Sequence, residues 1–135
     1  MNWQLQVALF NKLNVSAITS LVRGVYDHVP QADNAADDSQ FPYITIGEAR
    51  ANEFDTDEVL GFDASCVIHV WGRKRGRKEV KQIQDQIYQV LHRANLTILG
   101  YDFISIDHQF AESFVDSDGL TRHGVQQFRV LFQNP

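Results

Sequence analysis

Cysteine is nearly absent from this chain of 135 residues, where Cys66 stands alone. One thiol can neither close an intramolecular disulfide nor supply a multi-cysteine zinc site, so the fold has to rest on packing and a reducing compartment is expected. Apolar runs of about 18 residues are also missing. The start, Met1, Asn2, Trp3, Gln4 and Leu5, lacks the basic beginning and apolar middle of a secretory signal. A soluble chain that does not leave by that route is the expectation, with no membrane contact. Positive charge is short as well: 12 Lys and Arg face 17 Asp and Glu, a net charge of -5, which argues against a general nucleic-acid binder. No internal repeat or low-complexity tract interrupts the sequence. What is plentiful is core material, with 44% hydrophobic residues including Phe 9, Tyr 4 and Trp 2. The length suits one compact domain, residues 1–135, without room for a second.

The apolar pattern predicts the order ααββαββ. Trp3, Leu5, Val7, Leu9, Phe10 and Leu13 spread over more than half a helix circumference, with Trp3, Val7 and Phe10 on one line. Asn14 can end this helix, and Ser16 can cap a short second one that Gly24 stops. Val25 to Val29 reads as extended before Pro30, and 31–40 as a polar loop. A strand opens at Phe41–Ile46, and another runs from Leu60 to Trp71 with Phe62, Ala64, Cys66, Ile68 and Val70 on one face. Residues 52–58 between them read as a solvated hairpin tip, too polar to pack. Like the 31–40 loop, this tip is expected to order against neighbours, because it has little apolar area to offset ordering entropy.

Val80, Ile83, Ile87, Val90, Leu91 and Ala94 then recur at helical spacing. Lys81, Gln82, Gln84, Asp85, Gln86 and Gln89 form the other face of that helix, toward water or a partner. In the last third, Ile104, Ile106, Phe110 and Phe114 alternate with Ser105, Asp107, Gln109 and Ser113. Asp118-Gly119 supplies a turn, and Phe128, Val130 and Phe132 mark one face of a final strand. Two hairpins separated by a helix imply an α+β fold, an antiparallel sheet of about four strands with helices packed on it.

Charge is the sharpest local feature. Arg73, Lys74, Arg75, Arg77, Lys78 and Lys81 gather six of the 12 basic residues, whereas Glu53, Asp55, Asp57 and Glu58 belong to an acidic stretch from Asp33 to Asp63 in which Arg50 is the sole cation. Several cations at a helix start oppose the macrodipole, each costing about 0.3–1 kcal/mol when exposed. Three readings stay open for the basic turn: a solvated surface, a contact with acids on a neighbouring subunit or ring, or a contact with DNA phosphates. Charge-complementary patches on opposite sides of one subunit suit a heterologous interface.

Catalytic and cofactor chemistry find no support. The histidines His28, His69, His92, His108 and His123 form no HxH, HExxH or HxxxH pair and read as structural, and no cofactor is expected. Asp27 and His28 are adjacent in an extended segment, where side chains point apart. Cys66 shares a face with Phe62 and Ile68 and reads as a buried, inert thiol. Gly72 and Gly76 bracket basic residues before a helix, but without the spacing of a phosphate-binding loop.

Three segments carry a resemblance: VYDHVPQ at Val25–Gln31, FPYITIGE at Phe41–Glu48, and VIHVWGRKRGRKEVKQI at Val67–Ile83. With the order of elements, they make the chain resemble the tail-completion or tail-terminator (head-to-tail joining) proteins of long-tailed bacteriophages and gene transfer agents. The resemblance implies a virion structural protein without enzyme activity, assembled in the bacterial host cytoplasm and sited at the head-tail junction. Such a protein caps the tail tube at full length, stops its polymerisation and joins it to the head connector. It does so as a homo-oligomeric, hexameric ring around a channel through which DNA passes. Its implied partners are further copies of itself, the tail tube protein and the head connector protein. The alternatives are another neck or head-completion protein, or a small nucleic-acid-binding factor using the basic turn at 73–81.

Overall fold

The computed structural model describes residues 1–30 and 37–135. Its centre is a five-stranded sheet of order β1-β2-β3-β5-β4, built from β1 (Val25–Tyr26), β2 (Tyr43–Asp55), β3 (Leu60–Gly72), β4 (Asp102–Val115) and β5 (Arg122–Gln133). Three helices, α1 (Asn2–Leu13), α2 (Ser16–Thr19) and α3 (Lys78–Leu91), complete an α+β fold. Four strands form the expected antiparallel hairpins. The extended stretch after Gly24 adds a fifth, β1, which runs parallel to β2 with Val25 opposite Ile44. Residues 27–42 separate the two strands, a return long enough for a parallel pair. Residues 31–36 of the polar loop, Asp33 among them, lie outside the described part of the chain.

One face of the sheet is packed under the helices. Phe62, Ala64, Cys66, Ile68 and Val70 of β3 and Phe128, Val130 and Phe132 of β5 are buried there, as their alternation requires. Val80, Ile83, Ile87 and Leu91 bring α3 onto them, and Leu5, Ala8, Leu9 and Leu13 bring α1. The line of Trp3, Val7 and Phe10 falls on the other side of α1, where Trp3 is 65% exposed. The helix α3 ends at Leu91, so Ala94 packs from beyond it.

Two elements, α3 and β4, depart from the pattern for local reasons. Gln84, read as outward-facing, is buried because it sits beside Ile83 at the edge of the apolar stripe that meets β4 and β5. Its Nε2 donates to the Glu112 carbonyl at 3.0 Å. In β4, bulges between Phe103 and Ser105 and between His108 and Phe110 each insert a residue and reverse the alternation. Ile106 opposite Val130 and His108 opposite Phe128 therefore face the helices, while Phe110 opposite Gln127 and Phe114 opposite His123 face away. Ile104, Phe110 and Phe114 are exposed large apolar residues in consequence.

The polar stretch at 52–58 is mostly strand. β2 stays paired with β3 through Asn52 opposite Asp63 and Asp55 opposite Leu60, because an antiparallel partner satisfies the backbone whatever the side chains are. Only the Thr56–Val59 turn closes the hairpin, with Thr56 N–H donating to the Val59 carbonyl at 2.9 Å.

Candidate functional site

The basic turn and the acidic hairpin tip lie at opposite ends of β3. The acids flank its first residue, Leu60, and the cations follow its last, Gly72. At the usual rise per residue the strand spans about 40 Å, several Debye lengths at physiological salt. The two charge clusters of one subunit therefore cannot neutralise each other.

Arg73 separates itself from the other cations. Its guanidinium is mostly buried: Nε donates to Thr121 Oγ1 at 2.8 Å, Nη1 donates to Asp38 Oδ1 at 3.0 Å, and the group lies 4.5 Å from the Phe41 ring centroid. It ties the end of β3 to the segment before β2 and to the β4–β5 turn. That turn is itself fixed by Asp118, whose Oδ1 accepts from the N–H groups of Leu120 and Thr121 at 2.8 Å each. Thr121 Oγ1 donates to Asp118 Oδ2 at 2.7 Å. These bonds, those to Thr121 foremost, pull the Asp118 carboxyl down to a pKa of about 2. Lys74, Arg75, Arg77, Lys78 and Lys81 are exposed and take part in none of the ion pairs among the described residues. Glu53, Asp55, Asp57 and Glu58 at the other end are equally exposed and equally unpaired.

Between α3 and β4 runs a groove whose polar floor the sequence did not announce. Arg77, Lys81, Tyr88, Ala111, Ser113 and Gln126 are among its lining residues. It exists because the second β4 bulge sends Phe110 and Phe114 to the opposite face and leaves Ala111 and Ser113 beneath the helix. Gly124, opposite Ser113, lets the helix close in: a Cβ there would lie 2.6 Å from Gln84 Nε2 and 2.8 Å from Val80 Cγ1. Gln126 is 1% exposed. Its Nε2 donates to the Gln84 carbonyl at 3.1 Å, while Oε1 is buried without a partner, as is His108 Nε2.

The sheet face turned away from the helices holds a histidine cluster. His69 Nδ1 and His123 Nε2 are 2.7 Å apart, so one ring donates to the other, and Trp71 stacks on His123 at 3.8 Å between centroids. Glu48 Oε2 lies 3.1 Å from His69 Nε2, and Asp116 Oδ1 lies 3.5 Å from His123 Nδ1. Burial, reinforced by the charge of His69, lowers the His123 pKa. Alternation puts His69 on this face, but its pairing with His123 depends on the β3–β5 register, which no local spacing reveals. Asp27 and His28 do meet, at 2.7 Å, because the chain bends after β1; both are exposed. Cys66 is fully buried and its thiol is pushed up to about 12, which leaves it protonated and unreactive. Among the described residues, no group of three His, Cys, Asp or Glu is arranged to hold a metal ion. No described helix is long and apolar enough to cross a membrane.

Comparison with known proteins shows the family to which the chain belongs. The family described as Tail completion protein gp17 matches residues 7–133. The Tail completion protein gp17 of Bacillus phage SPP1 is 27% identical over 135 residues, covering 99% of each chain. A solved structure of that SPP1 protein superimposes with a TM-score of 0.60 at 25% identity, over 93% of this chain and 86% of the other. A chain in the virion of a native gene transfer agent particle shares the fold with a TM-score of 0.84 at 20% identity, over 96% and 95%. Matched along nearly its whole length and built on the same fold, the chain belongs to the gp17 family of tail completion proteins, as a structural component of the tail and not an enzyme.

Proposed function

We propose that copies of this chain assemble head to tail into a closed, hexameric ring on the finished tail tube at the head-tail junction. The ring stops further tube polymerisation and offers its other face to the head connector, with DNA passing through the channel as transient content. The observation that carries the reading is the pair of exposed, unpartnered charge clusters at opposite ends of β3. Opposite patches on one subunit make a heterologous contact, in which each copy presents one patch to each neighbour, and such contacts close into rings when the rotation allows. In this reading Lys74, Arg75, Arg77, Lys78 and Lys81 meet the acids Glu53, Asp55, Asp57 and Glu58, while Arg73 holds the turn in shape. Tube protein and connector occupy the two faces of the ring.

Removing the chain from the particle that carries it tests the proposal. Electron microscopy should then show tails beyond the normal length and heads without tails. Tails of normal length joined to heads would overturn it.

A further inference from the structure

We infer that the acidic hairpin tip of one copy docks into the α3/β4 groove of the next copy, at the end where Arg77 and Lys81 line it. The inference rests on the ring reading above and gives it an address.

The groove has the marks of a receptor. Its floor holds a buried acceptor, Gln126 Oε1, with no partner, beside the buried and unpartnered His108 Nε2. A polar atom in that condition costs free energy until a donor reaches it, which is unusual in a finished native surface. Charge at the mouth sets what may approach. Arg77 and Lys81 line the groove, and Lys74, Arg75 and Lys78 belong to the same turn and helix start without lining it. Asp85, one helical turn beyond Lys81, bounds this cationic end. Glu112 sits opposite Val125, so its side chain belongs to the other face of the sheet and does not oppose an incoming acid.

The hairpin tip is the matching ligand within the same sequence. Asp57 and Glu58 occupy the turn, with Glu53 and Asp55 just behind them on β2. The bonds that close the turn use Thr56 and Val59 alone: the Thr56 hydroxyl donates to the Val59 carbonyl and accepts from the Val59 N–H, each at 3.2 Å. The polar groups of Asp57 and Glu58 are thus not consumed in holding it. Because the tip lies at the far end of β3 from α3, it cannot fold back into its own groove. A second copy is the occupant that supplies acids, polar donors and a narrow projecting turn together.

Cross-linking in the assembled particle tests the contact. The chain carrying both Asp57→Cys and Ser113→Cys is treated with a short bis-maleimide; Cys66 is buried and adds no background. The expected result is a ladder of chain multiples on a denaturing gel, absent from either single variant. Normal incorporation without a ladder, or a cross-link to a tube or connector protein instead, would overturn the groove contact while leaving the ring reading in place. Particles with normal tails that contain no copies of the chain would overturn the ring reading itself. In a second arm, Asp57→Lys with Glu58→Lys should lower incorporation about tenfold, and adding Arg77→Glu with Lys81→Glu should recover most of it. Failure to recover, with circular dichroism showing every variant folded, counts against the pairing.

Discussion

The two ends of β3 are built on opposite principles. At the basic end, Arg73, Asp118 and Thr121 form a closed set of short bonds, α3 packs directly onto the sheet, and Gly124 allows that approach. At the acidic end, β3 stays paired with β5 as far as Gly61, β2 has no second neighbour beyond Thr45, and the turn that projects past the sheet is closed by the Thr56–Val59 bonds. The basic turn is tied into the tertiary structure by side-chain bonds, whereas the acidic turn is held only by its own closing bonds. A rigid receptor facing a projecting ligand places the ordering cost of association on the exposed turn at 56–58.

The largest effect should come from breaking the packing on which the basic end stands. Phe128 is fully buried on β5 under the helices, so Phe128→Ala should cost about 3–5 kcal/mol in urea unfolding, at an m-value close to that of the parent. Gly124→Val should also cost about 1–3 kcal/mol, because its side chain would press on Gln84 and Val80 and push α3 off the sheet. A change of a few tenths at either position would mean that α3 is not seated as described.

Next in size is the clamp. Arg73→Ala removes the bonds to Thr121 and Asp38 and exposes the Phe41 face, an expected loss of about 1–3 kcal/mol. Arg73→Lys should recover less than half, since an ammonium cannot hold two directions with one planar fork. Equal stability of the Lys variant and the parent would show that charge alone is at work there.

Acid should weaken the fold in two stages set by different titrating groups. His123 has its pKa lowered from the ordinary 6.5, so the unfolded chain takes up a proton more readily than the folded one. Its contribution to stability is present above about pH 6.5 and declines as pH falls toward the folded value. The carboxyls of Asp63, lowered chiefly by the Arg129 hydrogen bond, and of Asp118 contribute above about pH 4 and are lost as pH falls further, toward about 2 for Asp118. Melting temperature should therefore be flat above neutrality, dip below it, and drop again below pH 4. The variant His123→Phe, which can keep the stack on Trp71, should weaken the first dip and leave the second.

How much of this the sequence discloses depends on whether an effect is local. Alternation along β3 and the 3.6-residue period of α3 announce the inner layer, because Cys66, Ile68, Ile83 and Ile87 each follow the rule of their own element. The β4 bulges break that rule with one inserted residue each, so Phe110 and Phe114 read as core and are found outside. The groove follows from those bulges and was illegible for the same reason. The charge clusters were plain as composition, but Arg73 could not be told from Arg75 without Thr121, 48 positions away. The histidine pair required the register of β3 on β5, 54 positions apart.

The smallest effect on the isolated fold is expected at the acidic tip, and that smallness is what sharpens the comparison. Asp57→Ala and Glu58→Ala remove exposed charges without internal partners, so each should change stability by no more than about 0.5 kcal/mol. Amide exchange across 52–58 should be fast in the free chain, because β2 is an edge there and can open from β3 while β3 keeps its pairing with β5. In the assembled tail, the same amides should become slow, while those of β5 stay slow in both states. Equal, slow exchange at the tip in both states would mean that the hairpin is already rigid in the isolated subunit. The difference between the two ends of β3 would then lie in charge alone, and assembly would have no ordering of the tip to accomplish.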